Sequence, residues 1–110
     1  MRMWNVPTSI MCRQHLLGEH AETHMFVGAI KRGTSLFGYT SGNLFDRATL
    51  KGRHETLVKE MESRGMLHMS PLEDITGLST PIDTKLSLED LLERCENCRS
   101  RYKEGINGSS

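Results

Sequence analysis

Glycine and proline divide this chain into three stretches long enough for helices, and each carries apolar residues at helical spacing. Pro7 closes an extended N-terminal arm, after which Thr8 or Ser9 is placed to cap a first helix whose periodicity runs to about Ile30. Gly33, Gly38 and Gly42 lie among Thr, Ser and Asn between Lys31 and Phe45, which predicts a connecting loop. Asp46 caps a second helix in which Leu50, Leu57, Val58 and Met61 recur, and Arg64-Gly65 closes it with a left-handed cap residue. Pro71 and Pro81 punctuate a long connection from Met66 to Thr84. Ser87, with Asp90 three positions on, opens a third stripe of Leu88, Leu91, Leu92, Cys95 and Cys98 that continues to about Tyr102. The expected fold is all-α, a compact single domain of three principal helices over residues 1–104, with 105–110 as a flexible tail.

A chain of 110 residues has room for one modest core. Aromatics make up 5% of the residues and methionines number seven, so that core should be Leu/Met-rich rather than anchored on aromatic rings. Fourteen basic and fourteen acidic side chains cancel, which removes any whole-chain electrostatic argument for binding nucleic acid. With no long apolar run near the start or elsewhere, neither secretion nor membrane insertion is expected, and the reading is of a cytoplasmic protein. Three cysteines without paired spacing agree with a reducing compartment.

The densest chemistry lies on the first helix. At about 100° per residue, His15, Glu19, Glu22 and Phe26 project within a sector roughly 60° wide. Leu16, Leu17, Val27 and Ile30 point elsewhere, so the helix can pack on an apolar side and leave the acidic stripe free for chemistry. This stripe starts close to the chain's amine at Met1. An α-amine titrates roughly two to three units below a lysine side chain, which makes it the readier nucleophile near neutral pH. Its attack on a sugar C1′ would expel a base and leave an imine. Glu22 is then the candidate to stabilise positive charge on the sugar and to help remove the C2′ proton in β-elimination.

The block Gln14-His15-Leu16-Leu17-Gly18-Glu19-His20-Ala21-Glu22, continuing to Phe26-Val27-Gly28-Ala29, resembles the signature of the pyrimidine-dimer DNA glycosylase family, typified by the phage endonuclease V-type repair enzyme. Looser similarity covers Arg53, Leu57 to Glu60, Arg64-Gly65 and Tyr102-Lys103. The resemblance implies a small all-α glycosylase and abasic-site lyase that acts as a monomer on double-stranded DNA with a damaged or abasic site, without metal or other cofactor, in a bacterial or phage-infected cell. It places the catalytic pair on the Met1 amine and Glu22, with Arg2 beside the amine and Gln14 and His15 near the DNA. Arg2 is large, so Met1 should be retained. Where the family prototype has arginines just before the catalytic glutamate and three positions after it, this chain has Ala21 and Met25, which implies altered lesion preference. Arg2, Arg13, Lys31, Arg32, Arg47, Lys51, Arg53, Arg99, Arg101 and Lys103 could supply phosphate contacts if the fold gathers them.

Two other classes compete for these residues. One is a non-catalytic DNA-binding module of the same fold. The other is a metal-dependent hydrolase using His20 and His24, four apart on one helical face, although no third ligand is evident and the zinc-protease spacing is not met. Cys95-Glu96-Asn97-Cys98 has the form of half a zinc ribbon, but without a second pair it reads as two small apolar residues on a buried stripe.

Overall fold

The computed structural model describes residues 1–66, 71–75, 77 and 79–108, with side chains as far as 105. Among them there is no strand, and the fold is all-α as expected. Five α-helices replace the expected three: α1 (Arg13–Lys31), α2 (Phe37–Ser41), α3 (Leu50–Ser63), α4 (Thr84–Arg94) and α5 (Glu96–Gly108). Thr8–Ile10 forms a single 3-10 turn ahead of α1.

The differences have local causes. The first helix starts later than expected because the cap is Cys12, whose sulfur accepts the His15 N–H, and not Thr8 or Ser9. The glycine-rich loop holds one short helix, α2, which turns back so that Leu44 N–H reaches the Tyr39 carbonyl. The third stripe divides at Cys95, which is extended at φ −122° and ψ 109°. Asp83, not Ser87, caps its first half by accepting the Leu86 N–H, and α5 runs on to Gly108. Gly65 does end α3 in the left-handed region, at φ +79°, with the Met66 N–H returning to the Met61 carbonyl. Of the Met66–Thr84 connection, residues 67–70, 76 and 78 lie outside the described residues.

α1 packs along α3, α4 against α5, and the 3-10 turn against both α3 and α5. The N-terminal arm is extended as expected, yet it runs through the middle of the molecule. Trp4, Val6, Ile10 and Met11 join Leu16, Leu57, Met61, Leu91 and Cys98 in one core, while Met3 belongs to a second with Phe26, Val27, Phe45, Leu50, Leu72 and Ile82. The second core is aromatic-anchored, contrary to expectation: Phe26 stacks on Phe45 at 4.4 Å between ring centroids and meets Tyr39 edge-on at 5.4 Å. Three of the six aromatic residues meet there, while Trp4 and Tyr102 pack in the first core. Hydrogen bonds fix the arm as well, from Met3 N–H to the Leu44 carbonyl and from Ser87 Oγ to the Trp4 carbonyl.

Asp46 holds the chain that enters α3. Its buried carboxylate accepts from the Ala48 N–H at 3.1 Å, the Thr80 N–H at 3.0 Å and the Thr49 hydroxyl at 3.2 Å. Charge-assisted bonds of this kind contribute about 1.5–3 kcal/mol each to stability, and orphaned buried donors add a cost. Asp46→Ala is therefore expected to lower unfolding free energy by about 2–4 kcal/mol in urea denaturation, with the far-ultraviolet helix signal of the folded state retained.

Candidate active site

Glu22 lies about midway along α1 on the side that faces the start of the arm. Its Oε2 accepts the backbone N–H of Arg2 at 3.3 Å. The Met1 nitrogen is three covalent bonds from that donor, which bounds its separation from the carboxylate at roughly 7 Å. Both Met1 and Glu22 are partly exposed. A cavity of about 330 Å³ opens at Glu22, lined also by Trp4, Gln14, His15, Gly18 and Glu19. Glycine at position 18 leaves that stretch of the helix wall without a side chain.

The acidic stripe is not all available for chemistry. Glu19 is 1% exposed and is gripped by Arg53 of α3, with Nε to Oε2 at 2.6 Å and Nη2 to Oε1 at 2.9 Å. The same guanidinium donates from Nη1 to the Val6 carbonyl at 2.7 Å, so this buried pair also fastens the arm to α1. Phe26 is buried too. Of the two carboxylates on the stripe, Glu22 alone stays accessible.

Arg2 is held tightly at the site's edge. Its Nη1 pairs with Asp90 at 2.8 Å, its Nη2 reaches Ser87 Oγ at 3.3 Å, and its guanidinium carbon lies 3.7 Å from the Trp4 ring centroid. These contacts fix the peptide that faces Glu22 from α4. Gln14 is exposed on the rim of the cavity, next to exposed Arg13. His15 also lines the cavity, but its Nδ1 is 3.2 Å from Cys12 Sγ and 3.8 Å from Cys98 Sγ. Ala21 and Met25 are exposed, which leaves that part of α1 uncharged.

Several of the basic residues already have partners within the protein. Arg53 is buried, Arg47 donates to the Ile75 carbonyl, Lys51 to the Leu72 carbonyl, Arg101 to the Ser9 carbonyl, and Arg99 to the carbonyls of Leu92 and Glu93. Lys31 pairs with Glu73 at 3.2 Å. Many of these cations are thus engaged by protein neighbours, Arg53 in the interior and Lys31, Arg99 and Arg101 at the surface.

Two further clusters were missed by sequence spacing. His54 from α3 meets His20 and His24, with ring centroids 5.0–5.1 Å apart, and supplies the third imidazole that was not evident. Its Nδ1 lies 3.1 Å from Glu55 Oε1, and with Lys51 it holds the Glu55 carboxyl below the usual carboxylate range, the Lys51 hydrogen bond being the larger cause. Cys12, His15, Cys95 and Cys98 also converge, their ligating atoms all within 4.8 Å of one another. Burial pushes the Cys98 thiol up to about 12. At Cys95 burial opposes ionisation, but hydrogen bonds from Cys98, Cys12 and the Asn97 backbone outweigh it and hold the thiol below its ordinary value. Cys-x-x-His at 12–15 repeats the spacing of Cys-x-x-Cys at 95–98, and that repetition was the available signal.

The family model described as pyrimidine dimer DNA glycosylase matches residues 1–74, the part that holds the arm, α1, Glu22 and Arg53. The chain belongs to that family. It is therefore an enzyme with DNA glycosylase and abasic-site lyase activity, and not a binding module alone. No curated protein and no solved structure gives a significant match. α4 and α5, which brace Arg2 and carry Cys95 and Cys98, lie outside the matched residues. Among the described residues no helix is long and apolar enough to cross a membrane.

Proposed function

We propose that the enzyme cuts damaged or abasic double-stranded DNA through an imine formed by the Met1 amine, with Glu22 as the assisting carboxylate. The observation that carries this reading is the hydrogen bond from the Arg2 amide to Glu22, which tethers the first peptide of the chain to the one accessible acid of the stripe. In the first step the amine nitrogen bonds to the sugar C1′ as the C1′–N bond to the base breaks, and the base leaves with the electron pair and takes up a proton. The ring oxygen's bond to C1′ then opens to give the imine. At an abasic site, where the base is already gone, the amine condenses with the C1′ aldehyde and water leaves. Glu22 stabilises the cationic sugar and takes the C2′ proton, after which the C3′–O bond breaks and the strand is cut.

Gln14 on the rim is positioned to contact the DNA, and Arg13 beside it to meet a phosphate. Arg2 acts mainly by placing the amine, since Asp90 and Ser87 already occupy its guanidinium. With Ala21 and Met25 uncharged, the salt dependence of binding should be shallow for a family enzyme. Abasic-site cleavage, which needs only the amine, the acid and DNA contact, is the activity least affected by these changes.

Borohydride reduction during incubation with an abasic duplex tests the reading. A covalent protein–DNA adduct is expected, and it should vanish when the α-amine is blocked by selective acylation. An adduct that survives blocking would move the nucleophile to a lysine and refute the assignment to Met1. A parallel duplex carrying a cyclobutane dimer reports whether base removal accompanies strand cleavage.

A further inference from the structure

We propose that Cys12, His15, Cys95 and Cys98 form a structural zinc site that clasps the first turn of α1 to the junction of α4 and α5. Three thiolates and one imidazole are a common structural zinc set, and such sites are closed, four-coordinate and tetrahedral. With Zn–S at about 2.3 Å and Zn–N at about 2.0–2.1 Å, a tetrahedron requires S···S near 3.8 Å and S···N near 3.6 Å. Cys12 Sγ lies 3.8 Å from Cys95 Sγ, and His15 Nδ1 lies 3.2 Å from Cys12 Sγ and 3.8 Å from Cys98 Sγ. The other three pairs lie within 4.8 Å, so shifts of at most about 1 Å would admit the ion.

The surroundings fit metal-bound sulfur better than a packed hydrophobic contact. Each sulfur faces a backbone N–H: His15 N–H to Cys12 at 3.4 Å, Cys98 N–H to Cys95 at 3.4 Å, and Cys12 N–H to Cys98 at 3.2 Å. Outer hydrogen bonds of this kind orient thiolates and offset their charge. The first two bonds make the same motif twice, a cysteine at a helix start receiving the N–H of the ligand three residues on. Zinc with three thiolates carries a net charge of −1, which the positive ends of α1 and α5 favour. Cys12 and Cys98 are buried, and Cys95 and His15 are partly so, as a closed site requires. Binding would displace three thiol protons to solvent, while His15 coordinates as the neutral imidazole through Nδ1.

The extended backbone at Cys95 also gains a reason. A continuous helix from Thr84 to Gly108 would keep Cys95 and Cys98 on one helical face, whereas the break makes Cys95 the start of a new helix, matching Cys12 at the start of α1. The site would fasten α5, outside the family-matched residues, to the helix that carries Glu22.

Elemental analysis of the full chain, purified under reducing conditions without chelator, should find about one zinc per chain. Cys95→Ser with Cys98→Ser should abolish it, and His20→Ala with His24→Ala should retain it. The cysteine variants could fail to fold, so a second arm uses the wild-type chain stripped of metal and titrated with cobalt(II). One equivalent should give tetrahedral cobalt bands in the visible and thiolate charge transfer in the near ultraviolet, both displaced by zinc. Stripping should lower the thermal midpoint by about 10 °C or more, and zinc alone should restore it. Zinc well below one per chain together with a cobalt spectrum lacking thiolate charge transfer would overturn the proposal. So would zinc that survives the double cysteine substitution but disappears with His20 and His24.

Discussion

Glu22→Gln is expected to slow strand cleavage by about 10²–10⁴-fold, the usual contribution of a positioned acid–base group. The amide retains an oxygen that can accept the Arg2 N–H, so the arm should stay in place and the folded state should be unchanged. On the proposed mechanism, what is lost is the negative charge beside the sugar and the capacity to hold the C2′ proton. The substitution should therefore separate the steps: imine trapping on a preformed abasic site persists because the amine is intact, while base removal and β-elimination fail together. Glu22→Asp keeps the charge on a side chain shorter by one methylene and should fall between the two. Equal loss of trapping and cleavage in Glu22→Gln, with unaltered circular dichroism, would assign the residue to placing the amine instead.

Removing one partner of the Glu19–Arg53 pair should be the most damaging single change to stability. Arg53→Met takes from Glu19 its ion-pair partner among the described residues and also frees the Val6 carbonyl, whereas Glu19→Leu strands the guanidinium. Breaking a buried pair in this way costs about 3–5 kcal/mol, a large fraction of the roughly 5–15 kcal/mol that holds a domain of this size together. The double substitution Glu19→Leu/Arg53→Met should recover much of the loss, since two apolar side chains have no charge to desolvate. Urea denaturation of the single and double variants measures the coupling. If the single losses simply add in the double variant, the pair does not act as a unit.

Glu19 and Glu22 show where sequence spacing stops being informative. Both sit on one helical stripe, and nothing in α1 itself distinguishes them. The distinction comes from Arg53, 34 residues away, which buries one acid and leaves the other beside the cavity. α1 and α3 were legible because each keeps an amphipathic period and ends at a glycine able to adopt positive φ, at Gly33 and Gly65. The division at Cys95 was not, because Leu91, Leu92, Cys95 and Cys98 read as one continuous helical stripe. Their partner, the Cys12–His15 turn, is more than eighty residues away in sequence. The aromatic core was hidden for a related reason, since a count of rings carries no information about where they meet. Family resemblance reached the enzyme class, but it could not reveal how many of the basic side chains are engaged by neighbours in the fold.

The arm that carries Met1 is synthesised before α4 and α5, which supply three of the groups that seat it. Trp4 waits for Ser87, Arg2 for Asp90, and Cys12 for Cys98. Chains emerge at about 5–20 residues per second, so the arm is without these partners for seconds while it is already exposed to the cell. A nascent chain thus has Glu22 and the Arg2 amide that it binds long before it has the α4 and α5 contacts that brace the arm. Vectorial synthesis alone therefore leaves the proposed amine–Glu22 centre without its α4 brace until α4 has been made.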